Sequence, residues 1–145
     1  MSEENVEIVE RYFRLIDRML ADYWTNPVPI MEYPGLDEAF RDVQADAQWK
    51  PPNLNEAIQG KEAWLDFVSD LLDAVEDWRI NIEDVSGLGD DHVLVASRNA
   101  IRGRGSGIQI DQAIWTVVAV KKGKIATISD FSERAEALEA VGLSE

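Results

Sequence analysis

Apolar residues at the start of the chain recur with helical spacing. Val6, Val9, Phe13, Ile16 and Leu20 step by three or four, and Tyr12, Leu15 and Met19 widen the stripe. This predicts a long amphipathic helix over about residues 3–22. Leu36, Ala39, Phe40 and Val43 predict a second helix over about 36–45, and Trp64, Phe67, Val68, Leu71, Leu72 and Val75 a third over about 61–76. The period then changes to two. Trp78, Ile80 and Ile82 alternate with Arg79, Asn81 and Glu83, which marks a strand over about 78–86. Three further alternating runs follow at about 92–102, 108–120 and 124–132, and a short helix over 133–141 ends at Gly142, where a C-cap belongs. The glycines of Gly103–Gly107 suit a hairpin turn. A strand follows them rather than a helix, which excludes a phosphate-binding loop.

Three other segments lack a long period. Tyr23–Gly35 holds Pro27, Pro29 and Pro34 and reads as an ordered loop. Trp49, ahead of Lys50-Pro51-Pro52, occupies a brief strand, and Asn53–Gly60 reads as a loop. Helices first and antiparallel strands afterwards make an α+β fold. The 145 residues suit a single domain, 1–145, with one core.

The phase of the last strand brings in chemistry. Asp130 alternates in step with Ala126 and Ile128, whereas the other phase, Ile125, Thr127, Ser129 and Phe131, is also half apolar. Alternation alone therefore leaves both faces open. With Asp130 inward, a carboxylate faces an apolar space, where burial raises its pKa or demands hydrogen bonds. A carboxyl tuned in that way does acid–base chemistry near neutral pH. A hairpin centred near Arg104–Ser106 puts Asn99 opposite Gln112 and Ser97 opposite Ile114. Those polar groups share the inward phase and suit a ligand carbonyl or hydroxyl. Ile101, Ile114 and Ile128 share that phase, and Trp49, Trp64, Phe67 and Trp78 are candidate walls. Tyr12 belongs to the core of the first helix, its hydroxyl within reach of the pocket. The opposite phase carries Trp115, Ala113 and Val117, with Ala96 and Leu94 beside them. An apolar outer sheet face predicts a homodimer contact, to which Arg98 contributes an ion pair.

Charge narrows the partners. Lys and Arg total 14 against 28 Asp and Glu, a net charge of −14. Such a surface repels phosphate backbones and anionic lipid, so neither nucleic acid nor a membrane is an expected partner. With no cysteine and one histidine, His92, disulfides, thiolate chemistry and a zinc site are not expected. No metal or cofactor is implied. The acidic N-terminus lacks the features of a signal peptide, which points to a cytoplasmic protein.

Several phrases resemble the SnoaL-like polyketide cyclase family of the nuclear transport factor 2-like superfamily. They are Glu4-Asn5-Val6-Glu7-Ile8-Val9, Ala45-Asp46-Ala47-Gln48-Trp49, Gly60-Lys61-Glu62-Ala63-Trp64, Gly123-Lys124-Ile125 and the tail from Glu136 to Leu143. The resemblance implies a cone: a curved antiparallel or mixed sheet wrapped around a pocket that three N-terminal helices close. It also implies dimers through the outer sheet face. The scaffold hosts several chemistries and non-enzymes. Limonene-epoxide-hydrolase-like members use an Arg and an Asp where this chain has Ser97 and Asn99. The ketosteroid-isomerase-like base position falls around Lys50-Pro51, which holds no carboxylate. A SnoaL-like cyclase needs only a pocket carboxylate, which Asp130 supplies. The expected function is binding of a small hydrophobic molecule, with cyclase- or isomerase-type proton transfer through Asp130. The alternative is a non-catalytic binding or dimeric interaction module.

Overall fold

The alternating half of the chain forms one sheet. The computed structural model describes residues 2–51 and 56–142, so residues 53–55 of the expected 53–60 loop lie outside the described residues. The strands are β1 (Val43–Lys50), β2 (Ile58–Gln59), β3 (Val75–Leu88), β4 (His92–Gly103), β5 (Gln109–Lys121) and β6 (Lys124–Phe131). They run in the order β2-β1-β6-β5-β4-β3. β3 to β6 pair antiparallel, β1 joins β6 in parallel, and β2 pairs antiparallel with β1. Register shifts in β3 and between β5 and β6 bend the unclosed sheet into a curve. Helices α1 (Ser2–Thr25), α2 (Leu36–Ala39) and α3 (Lys61–Ala74) close its concave side, and α4 (Arg134–Ala140) packs on β5 and β6. The α+β class expected from the element order, and the cone that the resemblance implies, are the fold observed.

The boundaries differ from the periodicity in two informative places. The second helix stops at Ala39 rather than near 45, and Val43 already belongs to β1. Parallel pairing with β6, Val43 opposite Ile125 and Trp49 opposite Ile128, replaces helical hydrogen bonds that a stripe of four residues supports weakly. The third helix stops at Ala74, because the β4–β5 turn docks on its end. The Arg104 backbone N–H donates to Ala74 O at 3.1 Å. Its guanidinium donates to Asp73 O at 3.0 Å and Val75 O at 3.1 Å. Carbonyls left open by the helix end are thereby satisfied.

Helix α1 positions the sheet as well as covering it. Val9, Tyr12, Phe13, Ile16, Met19 and Leu20 are buried along one face, each worth about 1.5–3 kcal/mol for a fully buried large apolar side chain. Beside that face, Asp17 reaches the free edge of β3. Its Oδ1 accepts from Ile80 N–H and Arg79 Nε, both at 3.0 Å, and its Oδ2 accepts from Arg79 Nη2 at 2.8 Å. Trp24 Nε1 donates to Trp78 O at 3.0 Å on the same edge. An edge strand left bare is a template for unwanted pairing, and α1 occupies these groups instead. Trp24 also explains why α1 runs to Thr25, three residues past the predicted end. The rest of the proline-rich segment forms a short 3-10 turn at Ile30–Glu32 with Ile30 buried.

The outer face needs a correction. Leu94, Val117 and Ala137 form a second buried cluster, against which Leu88, Trp115, Phe131 and Val141 pack. Val117 is 5% exposed in the single chain, so α4, not a second copy, covers it. Gly142, at φ 79°, ends that helix in the left-handed region. Ala96, Ala113 and Trp115 keep partial exposure. Arg98 pairs within the chain, with Asp111 at 3.3 Å and Glu83 at 3.9 Å.

The Asp17 clamp makes a direct prediction. Asp17→Ala leaves the Ile80 N–H without its acceptor and Arg79 without its partner, and lowers stability by about 1–3 kcal/mol. Urea denaturation checks it; an unchanged midpoint would mean that water replaces the carboxylate at no cost.

Candidate functional site

Between the concave sheet face, α1 and α3 lies a cavity of about 230 Å³. Strand register decides which side chains reach it. Asn99 stands opposite Gln112 and Ser97 opposite Ile114, the pairing that a hairpin centred near Arg104–Ser106 demands. On the other side of β5, Thr116 stands opposite Asp130 and Val118 opposite Ile128. Between Ala119–Thr127 and Val120–Ile125 the pairing slips by one residue, so β6 carries an extra residue, Ala126. That bulge puts both Ile125 and Ile128 in the main core and keeps Asp130 inward. The half-apolar character of both phases of β6 has this cause.

The residues singled out by the sequence come together around this one cavity. Asp130, Asn99, Gln112, Ser97, Trp49, Ile101, Ile114, Tyr12 and Ile128 all line it, as do Trp64, Phe67 and Trp78. The proline-rich segment contributes no lining residue. Phe13, Ile16, Met19, Leu20, Val68, Leu71 and Ile80 supply further apolar wall, which a helical or alternating stripe does not separate from ordinary core.

Thr116 is the polar residue that the sequence reading missed. Its hydroxyl donates to Asp130 Oδ1 at 2.6 Å, and extending the inward phase of β5 two positions past Ile114 would have reached it. Burial in the apolar cavity raises the Asp130 carboxyl from 3.8 to about 6, with the Thr116 hydrogen bond opposing the rise. Among the described residues no second donor reaches this carboxyl, which stays only partly covered by protein. Trp49 Nε1 donates to the Tyr12 hydroxyl at 3.3 Å. Burial holds that phenol far above its usual range, and the Asp130 charge adds to the rise. Trp78 Nε1 donates to Asn99 Oδ1 at 3.0 Å. No cluster of three or more metal-ligating side chains occurs among the described residues.

A carboxyl raised in this way is suited to exchanging protons near neutral pH.

Comparison with known proteins places the chain. Residues 31–128 match the SnoaL-like domain. A putative SnoaL-like polyketide cyclase from Jannaschia sp. CCS1 has a TM-score of 0.62 at 17% identity, over 94% of each chain. SalBIII, an epoxide hydrolase/cyclase-like enzyme with a role in pyran ring formation in the polyether salinomycin, has a TM-score of 0.65 at 18% identity. That match covers 88% of this chain and 89% of SalBIII. An LEH-like epoxide hydrolase from M. tuberculosis has a TM-score of 0.62 at 13% identity, covering 91% of this chain and 84% of its own. At such identities the structural likeness is one of fold. The domain match spans well over half of the sequence, and on that ground the chain belongs to the SnoaL-like family.

Proposed function

We propose that this protein binds a small uncharged apolar molecule in the cavity and moves a proton on it through Asp130, as a cyclase or isomerase does. The observation that carries the reading is a single carboxyl, raised to about 6 by burial, held by one hydroxyl and facing an aromatic-lined space. At pH 7 about one such carboxyl in ten is protonated, so Asp130 starts as a base. Its carboxylate takes a proton from a carbon beside a ligand carbonyl, and the electron pair of that C–H bond passes onto the carbonyl oxygen. Where the ligand carries a carbon–carbon double bond next to that carbon, return of the proton at the far end of the double bond shifts it into conjugation with the carbonyl and isomerises the ligand. Attack by the same carbon on a second carbonyl closes a ring, and the proton goes to the new alkoxide. Neither route changes the oxidation level, so no cofactor is required. SalBIII, a cyclase-like relative by fold, supports the class of reaction.

A second reading has its own observation. Among the described residues lining the cavity, Asp130 is the sole carboxyl, and no Lys, Arg or His joins it. A carboxylate pair for water activation is missing, which favours a binding module that holds its ligand unchanged.

Deuterium exchange at the α-carbon of bound apolar ketones separates the two. The protein accelerates exchange in D2O, followed by NMR, and Asp130→Asn lowers the rate by about 10²–10⁴-fold. The rate climbs through about pH 6 to a plateau, because the ionised form is the base; Thr116→Val moves that climb to higher pH. Binding without accelerated exchange would leave the binding module standing alone.

The same carboxyl governs stability. Its folded-state pKa lies above the unfolded value, so the folded protein holds this proton more tightly. The associated stabilisation is complete below about pH 4 and is lost as pH rises through about 6, an effect of up to about 3 kcal/mol. Asp130→Asn therefore gains stability relative to the parent between pH 4 and pH 7.5, read from paired urea titrations. A constant difference across that range contradicts the assignment.

A homodimer, if formed through the outer face, uses the part that α4 leaves uncovered. Trp115→Glu then halves the sedimenting mass without unfolding the chain, whereas an unaltered mass excludes this face.

A further inference from the structure

Two indole groups fix the hydrogen-bonding character of the cavity. An indole N–H donates and has no acceptor site. Trp78 Nε1 stands 3.0 Å from the Asn99 amide, so the amide atom facing it has to be Oδ1. The two N–H donors on Asn99 Nδ2 are thereby turned away from Trp78. Among the described residues no side-chain or backbone acceptor meets them, and no partnerless side-chain N or O atom there is sealed off. Nδ2 is thus accessible from the cavity that Asn99 lines. The same logic applies to Tyr12. Its hydroxyl oxygen accepts from Trp49 Nε1 at 3.3 Å, which leaves its own hydrogen for another acceptor.

Both indoles are held from behind. The Trp78 carbonyl accepts from Trp24 Nε1, tying that residue to α1. The Trp49 ring packs against Trp64 at 5.4 Å and Phe40 at 6.2 Å between centroids. A donor that cannot rotate away pays less entropy on binding and discriminates better against a ligand lacking the acceptor. Charge adds a second filter. No basic side chain among the described residues lines the cavity, Asp130 does, and the chain carries a net −14. A carboxylate or phosphate ligand meets repulsion without compensation.

We infer that the cavity selects a mostly apolar ligand that carries no negative charge and has an acceptor oxygen such as a ketone carbonyl. The Asn99 amide N–H binds that oxygen in the orientation Trp78 imposes, and the Tyr12 hydroxyl, oriented by Trp49, is the second donor. This deepens the function proposed above, since it uses the same pocket, but it does not need proton transfer through Asp130.

Three probes of one shape test it by calorimetry on the full chain: 2-acetylnaphthalene, its hydrocarbon isostere 2-isopropenylnaphthalene and 2-naphthoate. The ketone binds about 3–10-fold more tightly than the isostere, the range of one neutral hydrogen bond, and the anionic 2-naphthoate binds more weakly than the ketone. Asn99→Leu and Trp78→Phe each reduce the ketone preference to about twofold or less while hydrocarbon binding persists. Should Trp78→Phe fail to fold by circular dichroism, Asn99→Leu alone decides. Equal binding of ketone and isostere, tightest binding of the acid, an intact preference in Asn99→Leu, or no binding of any probe overturns the inference. Loss of exchange in Asp130→Asn together with equal ketone and isostere binding overturns this inference alone and leaves the proton-transfer reading in place.

Discussion

The phase of β4, β5 and β6 is the constraint on which the rest of the molecule depends. Side chains alternate with a period of two, so a slip of one residue turns a whole strand inside out. Asn99 opposite Gln112, Ser97 opposite Ile114 and Thr116 opposite Asp130 are consequences of one register carried across three strands. A single extra residue, Ala126, adjusts that register so that Ile125 seals the core at one end of β6 and Asp130 enters the cavity at the other. Without it, one apolar residue or the carboxyl would face the wrong way.

Much of this was legible because the relevant signals are local. The change from helical to period-two spacing near residue 76 sets the α+β division, and the glycine-rich turn sets the β4–β5 pairing. What escaped depends on distant partners. β1 looks like the tail of a helix at Val43 until β6 pairs with it. The clamp of Asp17 on Arg79 and Ile80 joins residues far apart in sequence, with no short-range pattern to announce it. Val117 reads as an open outer surface until α4 folds back over Leu94 and Val117. Thr116 was within reach of simple alternation, but a threonine in a strand attracts no notice by itself. Its meaning comes from the carboxyl opposite.

Asp130 also shows how the fold tolerates a costly group. Its ionised form is disfavoured by the same tryptophan and isoleucine walls that suit an apolar ligand. One hydroxyl offsets part of that cost, and the helical face of α1 supplies ample apolar burial elsewhere. The tryptophans serve on both sides of the balance. They supply much of the cavity's apolar wall, and through their N–H groups they constrain which polar atoms remain available inside it.

The protonation state of one carboxyl is therefore decisive. A carboxyl-carbon NMR titration of Asp130, assigned with Asp130→Asn, measures it directly. The structure predicts a midpoint near 6, lifted by burial and moderated by Thr116. A midpoint at or below about 4, the range of a solvated or ion-paired carboxylate, would contradict the account and leave the cavity as a binding site without an acid–base group.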